Sequence, residues 1–248
     1  MQATPETPEQ LGRYKITEII GEGAMSVVYK AFDADISRYI AIKQLRPEIV
    51  RDPEYRTRFL SEARAAGNLI HPNIVTIFDV GETEQGPYIA MDYLDGPTLE
   101  GRMRGDDQPP LREVLDIGIQ LAEGLDHAHQ RGVVHRDVKP SNIILMPGAN
   151  GVRITDFGIA HVDSADKLNQ TLSGTLLGTP QYMSPEQAEG KPVDGRSDLF
   201  SLGIILYQLV SGQLPFGART LASLYASIVR EDPVPLKKLV PELPAGLR

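Results

Sequence analysis

The hydrophobic pattern of this 248-residue chain changes once, and the change limits the folds open to it. Before Asp95 the apolar residues form short β-rich runs at 14–20, 27–32, 39–43, 74–80 and 88–93, with one helical stretch over 53–68. After Gly96 they recur at helical spacing, over 111–128, 198–210 and 221–230. This order predicts an α+β fold, in which a small β-rich lobe over residues 12–95 precedes a larger helical lobe over residues 96–248.

Three connecting segments also have predictable roles. The acidic, proline-containing residues 1–11 predict a flexible tail. Short apolar runs at 143–145 and 152–155 predict a small hairpin. Residues 159–183 lack sustained periodicity, and a loop of that length is uncommon in a compact domain unless it has a function.

Composition excludes several kinds of protein. With 25 basic and 33 acidic residues the net charge is −8, which argues against a broad nucleic-acid-binding surface but leaves a local basic patch open. The absence of cysteine excludes disulfides, a thiolate nucleophile and cysteine-ligated metals. The most apolar stretch, Leu199–Val210, is shorter than the ~20 residues that span a bilayer. We therefore expect a cytoplasmic domain with no membrane segment, although its parent protein could be a membrane protein.

A glycine-containing turn, Gly21-Glu-Gly23-Ala-Met-Ser26-Val-Val28, separates the first two predicted strands. Glycines let backbone N–H groups approach a phosphate closely, although a plain hairpin turn would have the same sequence. Lys43 ends the third strand, and it requires an anion if it faces inward but only water if it lies at an edge. Glu62 lies midway along the predicted helix, where a carboxylate must be paired unless it is simply exposed.

The residues with the clearest chemistry form two blocks, His135-Arg-Asp137-Val-Lys139-Pro-Ser-Asn142 and Asp156-Phe157-Gly158. Asp137, Asn142 and Asp156 supply the base and the oxygen ligands that Mg²⁺-dependent phosphoryl transfer needs. His127 and His129 precede these blocks, but residues two apart on a helix point in different directions, so a core-capping or solvated role is favoured over a metal site.

In this order, the blocks resemble the catalytic domain of bacterial eukaryotic-like (Hanks-type) serine/threonine protein kinases. The resemblance extends from about Tyr14 to the end of the chain and includes Ser184-Pro-Glu186 in place of the usual Ala-Pro-Glu. It implies a bilobal kinase fold with an antiparallel N-lobe, one main N-lobe helix and a mostly helical C-lobe. The implied activity is Mg²⁺-dependent transfer of the γ-phosphoryl group of ATP to Ser/Thr hydroxyls of proteins in bacterial signalling.

The resemblance also implies catalytic roles for individual residues. Lys43 would hold the α- and β-phosphates of ATP and pair with Glu62, and Asp137 would accept the proton of the substrate hydroxyl. The remaining catalytic residues are Lys139, which would neutralise charge on the phosphoryl group, and Thr179, which would bridge Asp137 and Lys139. Asn142 and Asp156 would bind Mg²⁺, or Mn²⁺ in place of Mg²⁺.

A nucleotide-binding set follows from the same resemblance. Met91 would be the gatekeeper beside the adenine, and the backbone of Asp92 and Leu94 would read the edge of the base. The apolar members could equally be plain core. The complete set is Ile20, Gly21, Glu22, Gly23, Ala24, Met25, Ser26, Val28, Ala41, Lys43, Met91, Asp92, Leu94 and Ile144.

Regulation is implied as well. Thr171, Ser173 and Thr175 are candidates for activation-loop phosphorylation, which Arg136 would recognise, and a homodimer would serve autophosphorylation. His161 stands where a lysine or arginine often helps to bind such a phosphate.

Two features of the sequence depart from the family pattern. Ser26 replaces the third glycine of the turn, and the chain ends before the family's last helices, so we expect a domain truncated at its C-terminus. The alternatives are a pseudokinase or nucleotide-binding scaffold with little turnover, and a small-molecule phosphotransferase of the same broad fold.

Overall fold

The structure is a computed structural model that describes residues 8–23, 25–105, 108–148, 151–157, 180–244 and 246. The chain forms two compact units, Met1–Asp95 and Gly96–Arg248. The first unit contains a six-stranded sheet with two helices, and the second is mostly helical with one two-stranded sheet. The predicted α+β class, with a β-rich N-lobe and a helical C-lobe, is confirmed.

The sheet of the first unit is antiparallel throughout, with the strand order β1-β2-β3-β4-β6-β5. Its strands agree with the five predicted β-rich runs to within a few residues, and a sixth strand is added at the edge. They are β1 (Gln10–Leu11), β2 (Tyr14–Glu22), β3 (Ser26–Asp33), β4 (Arg38–Leu45), β5 (Ile77–Thr83) and β6 (Gly86–Asp92).

The added strand shortens the flexible tail predicted over residues 1–11, of which residues 1–7 lie outside the described part of the chain. Gln10 and Leu11 pair with Lys15 and Tyr14 of β2. Leu11 is 1% exposed and belongs to the apolar cluster on one face of the sheet. Burial of this leucine stabilises the short strand, which local sequence pattern could not indicate because only two residues take part.

The two helices of the first unit are α1 (Pro47–Val50) and α2 (Pro53–Ala66). Helix α2 begins as the sequence predicts, because the Asp52 side chain accepts a hydrogen bond from Glu54 N and Pro53 occupies the first helical position. Phe59, Ala63 and Ala66 form its buried face.

The second unit is organised around two long helices, α4 (Leu111–His129) and α6 (Gly195–Ser211), which pack against each other. Gly118 lies at this contact, where an added Cβ would come within 3.0 Å of Leu206 Cδ2, so the leucine side chain would have to shift. The predicted hairpin is confirmed as β7 (Ile143–Met146) paired with β8 (Gly151–Ile154). The shorter helices are α3 (Leu99–Met103), α5 (Pro185–Ala188), α7 (Leu221–Arg230) and α8 (Leu236–Leu239). None of the helices in the described part of the chain is long and apolar enough to cross a membrane.

Candidate active site

Strand register places the central residues of the predicted nucleotide set on one face of the first unit's sheet. Val28 lies opposite Lys43, and Ala41 lies opposite Met91. Directly opposed residues share a face, as do residues two apart on a strand, so all four side chains lie on the same side. The large apolar cluster that includes Leu11, Ile40 and Ile42 occupies the other face.

The glycine-containing turn joins β2 to β3 as a hairpin, in which Gly21 lies opposite Val28 and Glu22 opposite Val27. Gly23 N donates to Ser26 O over 2.8 Å, which closes the turn. Arg46, which follows β4, stabilises the turn, since its guanidinium donates to Gly23 O and Glu22 Oε2.

The fold itself does not require glycine at either position of this turn. A Cβ at Gly21 would come no closer than 3.6 Å to Val28, and one at Gly23 no closer than 3.5 Å to Ser26 O, both ordinary contacts. Neither residue adopts a positive φ. The glycines therefore leave a cradle that side chains would fill, which suits close approach of a phosphate.

Lys43 lies on the central strand β4 and is 5% exposed, which excludes the alternative of a solvated edge lysine. Glu62 lies on α2 and is half-buried, so the exposed alternative is not supported either. A buried ammonium and a half-buried carboxylate both require partners, as the predicted roles of the two residues assume.

Strand β6 ends at Asp92, directly after Met91, and Leu94 lies just beyond the strand. Met91 is buried on the nucleotide face, and Leu94 is half-buried. Asp92 N donates to Thr76 O, and the Asp92 carboxylate accepts from Thr76 N. Since its N–H group is engaged, Asp92 could read a base edge only through its carbonyl.

In the second unit the segment His135–Asn142 connects α4 to β7 and is fixed by the buried His135 ring. Asp137 N donates to His135 Nδ1, so the ring proton lies on Nε2, which donates to Thr155 O over 2.8 Å. The ring also packs on Phe157, with 4.6 Å between ring centroids. One side chain therefore ties the segment before Asp137 to the segment before Phe157.

The predicted catalytic residues of this segment converge on the Asp137 carboxylate. Lys139 Nζ lies 2.7 Å from Asp137 Oδ2, and Asn142 Nδ2 lies 3.3 Å from the same oxygen and 2.9 Å from Asp137 O. Asp137 has 40% of its side chain exposed and Lys139 has 17%. The carboxylate is thus oriented from within and accessible from outside, as a base for an external hydroxyl must be.

The two predicted metal ligands are tied together through the backbone. Thr155, which precedes Asp156, donates both N–H and Oγ1–H to Asn142 O. Asp156 adopts φ +63°, which is uncommon for a residue with a side chain and typical of functional sites. Asn142 is 6% exposed, and the two hydrogen bonds that its Nδ2 donates to Asp137 fix the orientation of its amide.

This donor set fits a hard divalent cation. One amide oxygen and one carboxylate, completed by phosphate oxygens and water, are the ligands that Mg²⁺ usually takes in nucleotide sites. Within the described ranges no cluster of three or more His, Asp or Glu side chains is arranged to hold a metal by protein ligands alone.

Asp198 at the start of α6 is the structural support that sequence analysis missed. It is 1% exposed, and its carboxylate accepts hydrogen bonds from His135 N and Arg136 N, each over 2.8 Å, and contacts His129 Nε2 at 2.7 Å. Of the core-capping and solvated roles that the sequence left open, His129 has the core-capping one. A carboxylate within an otherwise apolar helix was the available signal, because a buried acid needs several donors.

Several predicted residues lie outside the described part of the chain. They are Ala24 of the nucleotide set, Gly158, the bridging Thr179, His161 and the phosphorylation candidates Thr171, Ser173 and Thr175. After these residues, the described part of the chain begins again at a short 3₁₀ turn, Pro180–Tyr182, which is followed by α5. Of the remaining nucleotide set, Ile20 is 42% exposed on β2, Met25 and Ser26 are half-buried, and Ile144 is half-buried on β7 in the second unit.

The fold and these residue constellations define a protein kinase, and comparison with known proteins agrees. The family model for the protein kinase domain matches residues 14–243, so the chain belongs to the protein kinase family. Among its relatives it falls with the bacterial serine/threonine kinases of the eukaryotic type.

Two curated relatives and one solved structure illustrate the similarity. The chain is 42% identical to serine/threonine-protein kinase PknB of Mycobacterium leprae, covering 92% of this chain and 37% of the relative. It is 38% identical to a probable serine/threonine-protein kinase of Clostridium acetobutylicum, covering 95% of this chain and 35% of the relative. The crystal structure of the Mycobacterium tuberculosis PknI kinase domain matches with a TM-score of 0.74 and 33% identity, covering 94% of this chain and 84% of that one. The chain thus spans well under half the length of these curated relatives.

Proposed function

We propose that this domain transfers the γ-phosphoryl group of ATP to Ser/Thr hydroxyls of proteins, in the cytoplasm where ATP is available. The observation that carries the proposal is the Asp137 carboxylate, held by Lys139 and Asn142 and accessible from outside. Family membership supports ATP and protein substrates in general. Catalysis of this kind depends on positioning and electrostatic stabilisation.

The first unit binds the nucleotide in this proposal. Backbone N–H groups of the glycine-containing turn, other than that of Gly23, which donates to Ser26 O, approach the phosphates in the space that the glycines leave open. Lys43 neutralises the α- and β-phosphates and pairs with Glu62. Val28, Ala41 and Met91 supply the apolar surface for the base on the same sheet face.

The second unit carries the acceptor chemistry. Asp137 accepts the proton of the attacking hydroxyl, and Lys139 stabilises negative charge on the transferring group. The ammonium of Lys139 also donates a hydrogen bond to Asp137 Oδ2 over 2.7 Å, which orients the carboxylate in the absence of substrate. Thr179 is proposed to bridge these two residues, and Ile144 of β7 to contact the base.

Asn142 and Asp156 are proposed to hold the divalent cation, which is Mg²⁺ or Mn²⁺ in its place, because both ligands are hard oxygens that suit either ion. When a cation is bound there, it would supply positive charge that offsets the negative charge of the phosphates. The protein's own contribution is to orient the Asn142 amide, since Nδ2 donates hydrogen bonds to Asp137 and Oδ1 is left for the cation.

Regulation by phosphorylation is proposed at Thr171 or Ser173, with Thr175 as a further candidate. Arg136 precedes Asp137, and its Nε is buried without a hydrogen-bond partner among the described residues. A phosphate on the neighbouring segment would supply charge-assisted hydrogen bonds to this guanidinium. The test is mass spectrometry of protein co-expressed with a phosphatase and then incubated with ATP. Absence of new phosphate on residues 159–183 would contradict autoactivation.

The proposed function is tested by incubating the chain with labelled ATP, Mg²⁺ and dephosphorylated casein, alongside Asp137→Asn. Label on casein that requires Asp137 supports the kinase. ATP binding without label transfer would indicate a pseudokinase, which the complete set of catalytic residues disfavours. Transfer to small alcohols and not to casein would indicate a small-molecule phosphotransferase.

A further inference from the structure

The side chain of Gln187, on α5, is hydrogen-bonded to the backbone of Arg136, the residue immediately before Asp137. Gln187 is 7% exposed, and its Nε2 donates to Arg136 O over 2.6 Å. Its Oε1 accepts from Ser184 N over 3.0 Å, and Gln187 N donates to Ser184 Oγ over 3.3 Å. The amide therefore closes the capping box of α5 with one atom and holds Arg136 with the other.

The residue that Gln187 holds is strained. Arg136 adopts φ +66°, a left-handed conformation that costs a residue with a Cβ appreciable free energy. Its N–H group is held by Asp198 Oδ1 over 2.8 Å, and its C=O group by Gln187. The backbone N–H and C=O groups of Arg136, the residue immediately before Asp137, are thus held by side chains from two different helices.

We infer that Gln187 is a positioning residue for phosphoryl transfer: it holds the strained Arg136 backbone and thereby orients the Asp137 carboxylate. The expected effect of Gln187 on phosphoryl transfer rests on the proposed function, whereas its expected effect on the Arg136 backbone rests on geometry alone. Only an amide suits the position, because Ser184 N–H needs an acceptor and Arg136 C=O needs a donor at the same side-chain length. A carboxylate would place an oxygen against the Arg136 carbonyl oxygen, and an ammonium would face Ser184 N–H.

The competing explanation is that Gln187 only caps α5. Ser184→Ala separates the two roles, because it removes Ser184 Oγ from the capping box but leaves both hydrogen bonds of the Gln187 side chain in place. Gln187→Met removes those side-chain bonds and keeps a similar length. Gln120→Met is the matched control for a lost amide, since Gln120 on α4 accepts from Val152 N of β8 and makes no hydrogen bond to α5 or to Arg136 among those described.

The first experiment is hydrogen exchange of peptides covering residues 133–139, which requires no activity. We expect faster exchange in Gln187→Met and wild-type exchange in Ser184→Ala and Gln120→Met. The second is steady-state kinetics with ATP and dephosphorylated casein. Misplacement of a catalytic group by about 1 Å can cost about 100-fold, so kcat of Gln187→Met should fall by about 10-fold to 100-fold with KM for ATP unchanged.

The outcomes separate this inference from the proposed function. Unchanged exchange in Gln187→Met, or equal loss of kcat in Ser184→Ala, would overturn the inference while active wild-type enzyme upholds the proposed function. Faster exchange in Gln187→Met with an inactive wild type would refute the proposed function and support the structural role. Gln187→Glu retains the acceptor for Ser184 N–H but repels Arg136 O, so it serves where Gln187→Met does not fold, with the same expected loss.

Discussion

Replacement of Asp198 by asparagine should both destabilise the domain and reduce its activity. The buried carboxylate accepts two backbone N–H groups and contacts His129, while asparagine offers one oxygen in place of two. Whichever way the amide turns, one of the N–H groups of His135 and Arg136 faces a donor. Hydrogen bonds to a charged group contribute about 1.5–3 kcal/mol each, so losing one and weakening the others should cost about 2–4 kcal/mol. This is a large share of the ~5–15 kcal/mol that stabilises a typical domain.

Urea unfolding and steady-state kinetics measure the two effects of Asp198→Asn. The urea midpoint should fall by about 1 M, given a typical slope of about 2–3 kcal/mol per molar urea for a protein of this size. The kcat should also fall, because Arg136 loses one of the two bonds that hold its left-handed backbone. Asp194→Asn is the control, since Asp194 caps the same helix from an exposed position and asparagine caps equally well. An unchanged midpoint and kcat in Asp198→Asn would refute this reasoning.

Three further predictions follow from individual residues. Lys43→Met and Asp137→Asn should each lower kcat by ~10²-fold or more, while titration of Asp137→Asn with ATP shows near wild-type affinity; wild-type turnover in either would remove the proposed roles. Gly195→Ala should lower the unfolding midpoint and kcat, because its Cβ would lie 2.7 Å from His129 Nδ1, whereas Gly203→Ala on the same helix has nothing within 4 Å and should not. Burial, with a smaller contribution from Glu100, raises the pKa of Tyr182 from 10.0 to about 12. The stability linked to this neutral tyrosine is complete below pH 10 and is lost as pH rises towards 12, so Tyr182→Phe should lessen the alkaline fall in urea midpoint, and an unaltered fall would contradict this.

The elements predicted from periodicity were those whose apolar faces are long enough to repeat. Helices α2, α4 and α7, and strand β3, all have buried residues at regular spacing. Strand β1 and the short helices α1 and α3 were missed because two to five residues carry no period. Leu11 is buried by contacts distant in sequence, which composition of the local segment cannot reveal.

The residues proposed to carry out the chemistry were easier to predict from the sequence than the residues that hold them in place. Asp137, Lys139 and Asn142 are close in sequence, and the structure brings their side chains together as expected. Asp198 and Gln187 act on the same segment from 51 to 63 positions away in sequence. Neither residue's role follows from its neighbours, since each depends on which backbone groups the fold leaves without helical or sheet partners.

The most direct test of the central claim is phosphoamino-acid analysis of casein, and of the chain itself, after incubation with labelled ATP and Mg²⁺. Wild-type protein should yield phosphoserine or phosphothreonine, and Asp137→Asn should yield neither above background while still binding ATP. Label that appears equally with Asp137→Asn, or on tyrosine alone, would contradict the assignment of a Ser/Thr kinase whose base is Asp137.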